Sequence, residues 1–214
     1  MEQKAYLFDF DGTLVDSMPY WSEKMLNILR EFGIPYPDHI IKIIAPLGDV
    51  GTAEYFRDTM GVPLSVEEMI ERMDAYALDK YRNAVEMKAG VAEYLHRLKA
   101  AGCSLNILTA SPHRMVDVCL KRLGIYELFD HIWSTEDFGK TKSDVTIFTD
   151  AADQLGRDVR DVAFFDDNFY AISTAVKAEM YTVAVYDLSC ADYENDLRRI
   201  ANRYIESFEG MEIV

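Results

Sequence analysis

The stretch Phe8–Ser17, FDFDGTLVDS, sets two acids, Asp9 and Asp11, at alternate positions where an apolar run meets a glycine. The run before it, AYLFDF from Ala5, is aromatic and apolar enough for a buried strand, and Gly12 breaks it. Both acids therefore fall at the carboxyl end of a strand. Asp beside Gly is also ordinary turn chemistry. The pair gains meaning only from what accompanies it along the chain.

From Gly90 onward the text alternates. Helical patterns (GVAEYLHRLKAAG, PHRMVDVCLKRLG, DVTIFTDAADQLG, YAISTAVKAE) are interleaved with the apolar runs CSLNILT, HIWST, DVAFFDD and YTVAVYD. Near-continuous apolar runs joined by helices predict a parallel sheet covered on both faces. The tail from Asp192 to Phe208 is expected to form a closing helix. Between Met18 and about Arg82 the pattern is helical only. MPYWSEKMLNILREFG carries Pro19 at its start and Gly33 as a stop, and Ser65 with Glu68 predicts a capping box for SVEEMIERMDAYALDKYR. Tyr, Trp and Met at helical spacing there predict packing within the insertion. The expected fold class is α/β: a doubly wound, Rossmann-like parallel sheet core made of residues 1–17 and 86–214, interrupted by an inserted all-helical cap at 18–85.

At 214 residues and 50% hydrophobic, the chain can bury a sizeable core. Its 22 Lys and Arg stand against 37 Asp and Glu, a net charge of −15. Such a surface repels nucleic acid and anionic membranes, so neither is an expected partner. Cys103, Cys119 and Cys190 are odd in number and lie in apolar patterns, which fits reduced thiols in a cytoplasmic protein. The opening MEQK carries an acid and the following apolar run is cut by Asp9, so neither a signal peptide nor a spanning helix is expected.

Doubly wound sheets bind ligands beyond the carboxyl ends of their strands. Followed to their ends, the apolar runs deliver Asp9 and Asp11, then Thr109 and Ser111, then Asp166, Asp167 and Asn168. Four carboxylates near one point repel one another unless a cation joins them. Oxygen ligands without His or Cys suit Mg²⁺. A hydroxyl at Thr109 and an ammonium at Lys142, in GKTKSD, would partner a phosphoryl group, and an ionised carboxylate can serve as its nucleophile. GKT at Gly139 is not a nucleotide-binding loop, because Ser134 stands where that motif needs glycine. His113 and His131 have no paired ligand spacing and are expected to be ordinary.

Four blocks, DFDGTLVDS, ILTAS, GKTKSD and FFDDN, stand in that order, and with them the chain resembles the haloacid dehalogenase superfamily. The resemblance covers nearly the whole length and is to the branch with a small helical cap after the first strand. It implies that Asp9 is the nucleophile and Asp11 the general acid and then base. It also implies that Thr109, Ala110, Ser111 and Lys142 bind the phosphoryl group of a small-molecule phosphate ester. Mg²⁺ would be held by Asp9, the Asp11 carbonyl and Asp167, with Asp166 a neighbour or a ligand through water. Lys140 competes with Lys142, and the distance to SDVTIF in the family block favours Lys142. One of Asp166 and Asp167 is a candidate N-cap for the helix that follows. The expected activity is phosphatase. The alternatives are a phosphomutase of the β-phosphoglucomutase type, which needs a second phosphate held by a cation, and a receiver-like signalling module. In the insertion, APLGDVGTAEYF is expected to be a loop, whose Asp49 would repel a bisphosphate.

Overall fold

The computed structural model describes residues 5–214; the opening MEQK, read above as an acid-bearing start, lies outside the described residues. The chain forms two compact units, one from the stretch up to Asp16 together with Val85–Val214, the other from Ser17–Ala84.

The first unit holds six parallel strands: β1 (Ala5–Phe8), β2 (Ser104–Thr109), β3 (His131–Ser134), β4 (Val162–Asp166), β5 (Tyr181–Val185) and β6 (Arg203–Ile205). Their order is β3-β2-β1-β4-β5-β6. β1 is thus flanked by β2 and β4, with Phe8 level with Ile107 on one side and Phe165 on the other. All four residues of β1 are buried, as strands covered on both faces must be. Ala5, Leu7 and Phe164 belong to one hydrophobic cluster, packed with Ile147 and Phe148 of the helix Thr146–Gln154 and Ile172 of the helix Phe169–Lys177. The alternate residues face the other way. Tyr6, Phe8 and Phe165 form an aromatic stack with Tyr94 of the helix Val91–Ala100 and with Phe208. The period of two in a strand produces this division.

The tail departs from the single closing helix expected from sequence. The helix there spans only Glu194–Ile200, and the chain then adds β6 alongside β5. Backbone pairing explains the change: Tyr186 N donates to Ile205 O at 2.8 Å, and the Asn202 side-chain oxygen accepts from Thr182 N at 2.8 Å. Phe208 then turns into the aromatic stack. A three-residue strand carries too little pattern to be seen in sequence.

The second unit is all-helical, with Met18–Glu31, Ile40–Ile44, Gly48–Asp58 and Val66–Asn83. It has its own core of Met25, Ile28, Leu29, Ile44, Phe56, Met69 and Met73, among others. Ser65 and Glu68 make the expected capping box, each bonding the other's backbone N–H. The segment expected as a loop is helical instead. Ala45–Leu47 forms a 3₁₀ turn and Gly48–Asp58 an α-helix, with Thr52 Oγ1 donating to Ile44 O at 3.0 Å. Asp49 is also not a bare charge. Lys24, whose side chain is 1% exposed, donates to its carboxylate at 2.8 Å and lies 3.6 Å from the centre of the Trp21 ring. The Lys24–Asp49 pair as a whole carries no net charge with which to repel a bisphosphate.

Candidate active site

The strand order reverses on either side of β1, and the crevice beyond the carboxyl ends of β1, β2 and β4 is where such sheets bind ligands. Asp9 extends the ladder from β1, its backbone N–H donating to Phe165 O at 2.8 Å. After it the chain turns sharply: Leu14 N and Val15 N both donate to Phe10 O, and Gly12 N donates to Val15 O at 2.9 Å. Gly12 adopts φ +75°, and a Cβ there would lie 2.7 Å from both carboxylate oxygens of Asp167. Glycine is needed at this point both for the left-handed backbone and for the close approach of the acid.

Asp9, Asp166 and Asp167 are all buried, and each offers one oxygen within 4.8 Å of the others. Lys142 reaches into the cluster, its Nζ 2.5 Å from Asp9 Oδ1 and 2.8 Å from Asp166 Oδ2. Lys140 points elsewhere and pairs with Asp150. Thr13 Oγ1 donates to Asp167 Oδ1 at 3.0 Å. Asp166 Oδ1 accepts from Asn168 N at 2.7 Å. The N-cap of the following helix is Asn168, whose side chain accepts from Tyr170 N and Ala171 N. Neither Asp166 nor Asp167 takes that role, which leaves both carboxylates in the cluster.

Asp11 sits apart from these three. Its carboxylate accepts from Ser111 Oγ at 2.5 Å, and it is not a side-chain member of the acid cluster. Thr109 is buried at the end of β2, its Oγ1 accepting from Ser111 N at 3.1 Å. Ala110 between them is exposed. The structure thus brings Asp9, Asp166, Asp167 and Lys142 into direct association, and ties Asp11 to Ser111 and Ser111 to Thr109. The sequence reading missed Thr13, although it lies inside the opening stretch, because a threonine after DG gives no sign of where its hydroxyl points.

The electrostatics follow from three buried acids of which two, Asp9 and Asp166, share the Lys142 ammonium. Burial pushes the Asp9 carboxyl up to about 7; Lys142 pulls it down, and Asp166 and Asp11 push it up further. Burial raises Asp167 as well, with Asp166, Asp9 and Asp187 adding to the rise and Lys88 opposing it. Burial works against the charge on Lys142, but Asp166 and Asp9 outweigh it and hold the ammonium above its ordinary value. An excess of buried negative charge, offered entirely by oxygen atoms, suits a hard divalent cation.

A sign follows for stability. An acid whose pKa is raised by folding weakens the fold as pH climbs from the ordinary carboxylate range near 4 to about 7, because the folded chain must then carry a charge the unfolded chain hydrates freely. Below that window the penalty is absent. Metal-free protein is expected to melt lower at about pH 7.5 than at about pH 5.5, with a smaller gap in Asp167→Asn. Thermal unfolding of both proteins in chelator checks this, and an equal gap in the two would refute it.

Residues 6–185 match the model of the haloacid dehalogenase-like hydrolases. The chain belongs to that family. Within it, the chain is 27% identical over 205 residues to YhcW of Bacillus subtilis (strain 168), a protein whose name assigns it to the phosphatases, with 92% of each chain covered. It is 26% identical over 187 residues to hexitol phosphatase B of Escherichia coli (strain K12), covering 85% of this chain and 82% of that one. Phosphatase relatives of this kind support a phosphoric monoester hydrolase. The fold is similar to that of β-phosphoglucomutase from Clostridium difficile, at a TM-score of 0.74 and 21% identity, covering 99% of this chain and 94% of the other. This haloacid dehalogenase-like hydrolase has no helix among its described residues that is long and apolar enough to cross a membrane.

Proposed function

We propose that this hydrolase is a Mg²⁺-dependent phosphatase that releases phosphate from a small phosphorylated metabolite through an aspartyl-phosphate on Asp9. The observation that carries the proposal is the division of labour between two neighbouring acids. Asp9 lies in the buried cluster against Lys142, whereas the Asp11 carboxylate is held by Ser111. Asp9, Asp167 and the Asp11 carbonyl would hold the metal, with Asp166 beside them. When bound, the cation neutralises the phosphoryl oxygens next to the nucleophile.

In this reading an Asp9 oxygen attacks phosphorus as the bond to the ester oxygen breaks, and protonated Asp11 gives its proton to the departing oxygen. Asp11, now a carboxylate, takes a proton from water as that water attacks the phosphorus of the aspartyl-phosphate. Phosphate leaves, and both acids return to their starting states. Ser111 orients Asp11, and Lys142 stays charged throughout and stabilises the transferring group. Thr109 organises the loop that carries Ser111.

The test is phosphate release from hexitol phosphates, chosen because a relative is named for them, alongside other sugar monophosphates and hexose bisphosphates, with Mg²⁺ and with chelator. Release that depends on Mg²⁺ is expected. Conversion of a hexose 1-phosphate to its 6-phosphate, without net release, would favour the mutase. No turnover of any phosphate ester would overturn the phosphatase assignment.

A further inference from the structure

A second ion pair lies beside the acid cluster and has no part in the reaction described above. Lys88 Nζ is 2.8 Å from Asp187 Oδ2, with the two side chains 17% and 6% exposed. The same ammonium donates to Tyr186 O at 2.6 Å. The other carboxylate oxygen of Asp187 accepts from Ser189 N at 2.9 Å and Ser189 Oγ at 2.6 Å. The acid is therefore held firmly just past the end of β5.

The backbone of Lys88 is bound separately. Its N–H donates to Leu14 O at 3.0 Å, Val15 bridges to Met87, and Asp16 N donates to Glu86 O at 2.9 Å. Residues 86–88 therefore run along the end of the turn that starts at Asp9. Leu14 follows Thr13, whose hydroxyl holds Asp167 Oδ1. A short chain of bonds thus runs from Asp187 through Lys88 and Leu14 to Thr13 and Asp167. The bland alternative is a strut that only adds stability. Buried ion pairs are poor at that, since apolar residues of similar volume serve as well or better. Both charges of the pair also act on Asp167, in opposite senses.

We propose that Lys88, anchored by Asp187, is a positioning residue for the divalent-cation site, fixing the Leu14 segment so that Thr13 presents Asp167 in the orientation the cation needs. The inference rests on the proposed role of Asp9 and Asp167 as metal ligands. Removing a group that orients a metal ligand through hydrogen bonds typically costs about 10- to 100-fold in metal affinity.

The experiment is calorimetric titration of Mg²⁺ alone into the full-length wild type, Lys88→Met, Lys88→Arg and Asp187→Asn, with thermal unfolding of each in chelator. Lys88→Met and Asp187→Asn are expected to weaken Mg²⁺ binding about 10-fold or more, while Lys88→Arg, which can keep the bond to Asp187, stays within about threefold of wild type. If Lys88→Met fails to fold, Asp187→Asn carries the same expectation. Mg²⁺ affinity unchanged or tighter in these variants, with only the melting temperature lowered, would leave the pair a strut and overturn the proposal. A wild type that binds no Mg²⁺ would instead remove the metal reading on which it rests.

Discussion

Asp9→Asn is expected to lower phosphate release by roughly four orders of magnitude or more, as loss of a nucleophile does when the remaining machinery is intact. The amide cannot form the acyl-phosphate bond, and it replaces one anionic oxygen of the buried cluster with a neutral one. Its fold should survive, because Asp9 is one of three buried acids crowded together and removing one charge relieves repulsion. Steady-state assays on the best substrate of the panel check the rate, and thermal unfolding in chelator checks the fold. Wild-type turnover in Asp9→Asn would sink the nucleophile assignment. Asp11→Asn separates the two acids further. It should leave the cluster intact, slow proton transfer to the leaving oxygen, and slow hydrolysis of the intermediate enough for phosphate to be trapped on the protein. Mass spectrometry of acid-quenched samples would detect that added phosphate on Asp9.

Lys142→Met is expected to be damaging in two separable ways. Lys142 bridges Asp9 and Asp166, both buried. Removing one partner of a buried ion pair while the other charges stay typically costs about 3–5 kcal/mol. Metal-free Lys142→Met should therefore melt well below wild type, and millimolar Mg²⁺ should recover part of the loss by supplying the missing positive charge. Activity should not recover with it. The ammonium is proposed to stabilise the transferring phosphoryl group, and loss of one such charge-stabilising donor typically lowers kcat by about 100- to 1,000-fold. Lys140→Met is the control, since Lys140 pairs with Asp150 and lies outside the cluster. It should keep wild-type kcat. The reverse outcome, with Lys140 essential and Lys142 dispensable, would refute the assignment drawn from these distances.

Two residues in the GKTKSD block show how far sequence reaches. Their chemistry is identical and their spacing is two, so no property of the text alone separates them; resemblance to a family block favoured Lys142, and the bond to Asp9 agrees. Asn168 is the opposite case. The text placed three polar residues after the β4 run and offered the acids as helix caps, but the amide caps the helix and the acids turn to the cluster. Thr13 and Lys88 were invisible for a simpler reason. A hydroxyl or an ammonium acquires a role only when a partner 154 residues away, as for Thr13 and Asp167, or 98 away, as for Lys88 and Tyr186, is brought within bonding distance.

What the sequence determined by itself was the parallel sheet, the helical insertion and the set of polar strand ends from which the site is drawn. These depend on burial periodicity and on where apolar runs stop, which are local properties. The tertiary structure alone decided the sixth strand, the pairing of Asp49 with Lys24, the helix where a loop was expected, and the bonds from Asp187 and Lys88 to the Leu14 turn. Those depend on where side chains point and on contacts between distant segments. Neither leaves a period in the text.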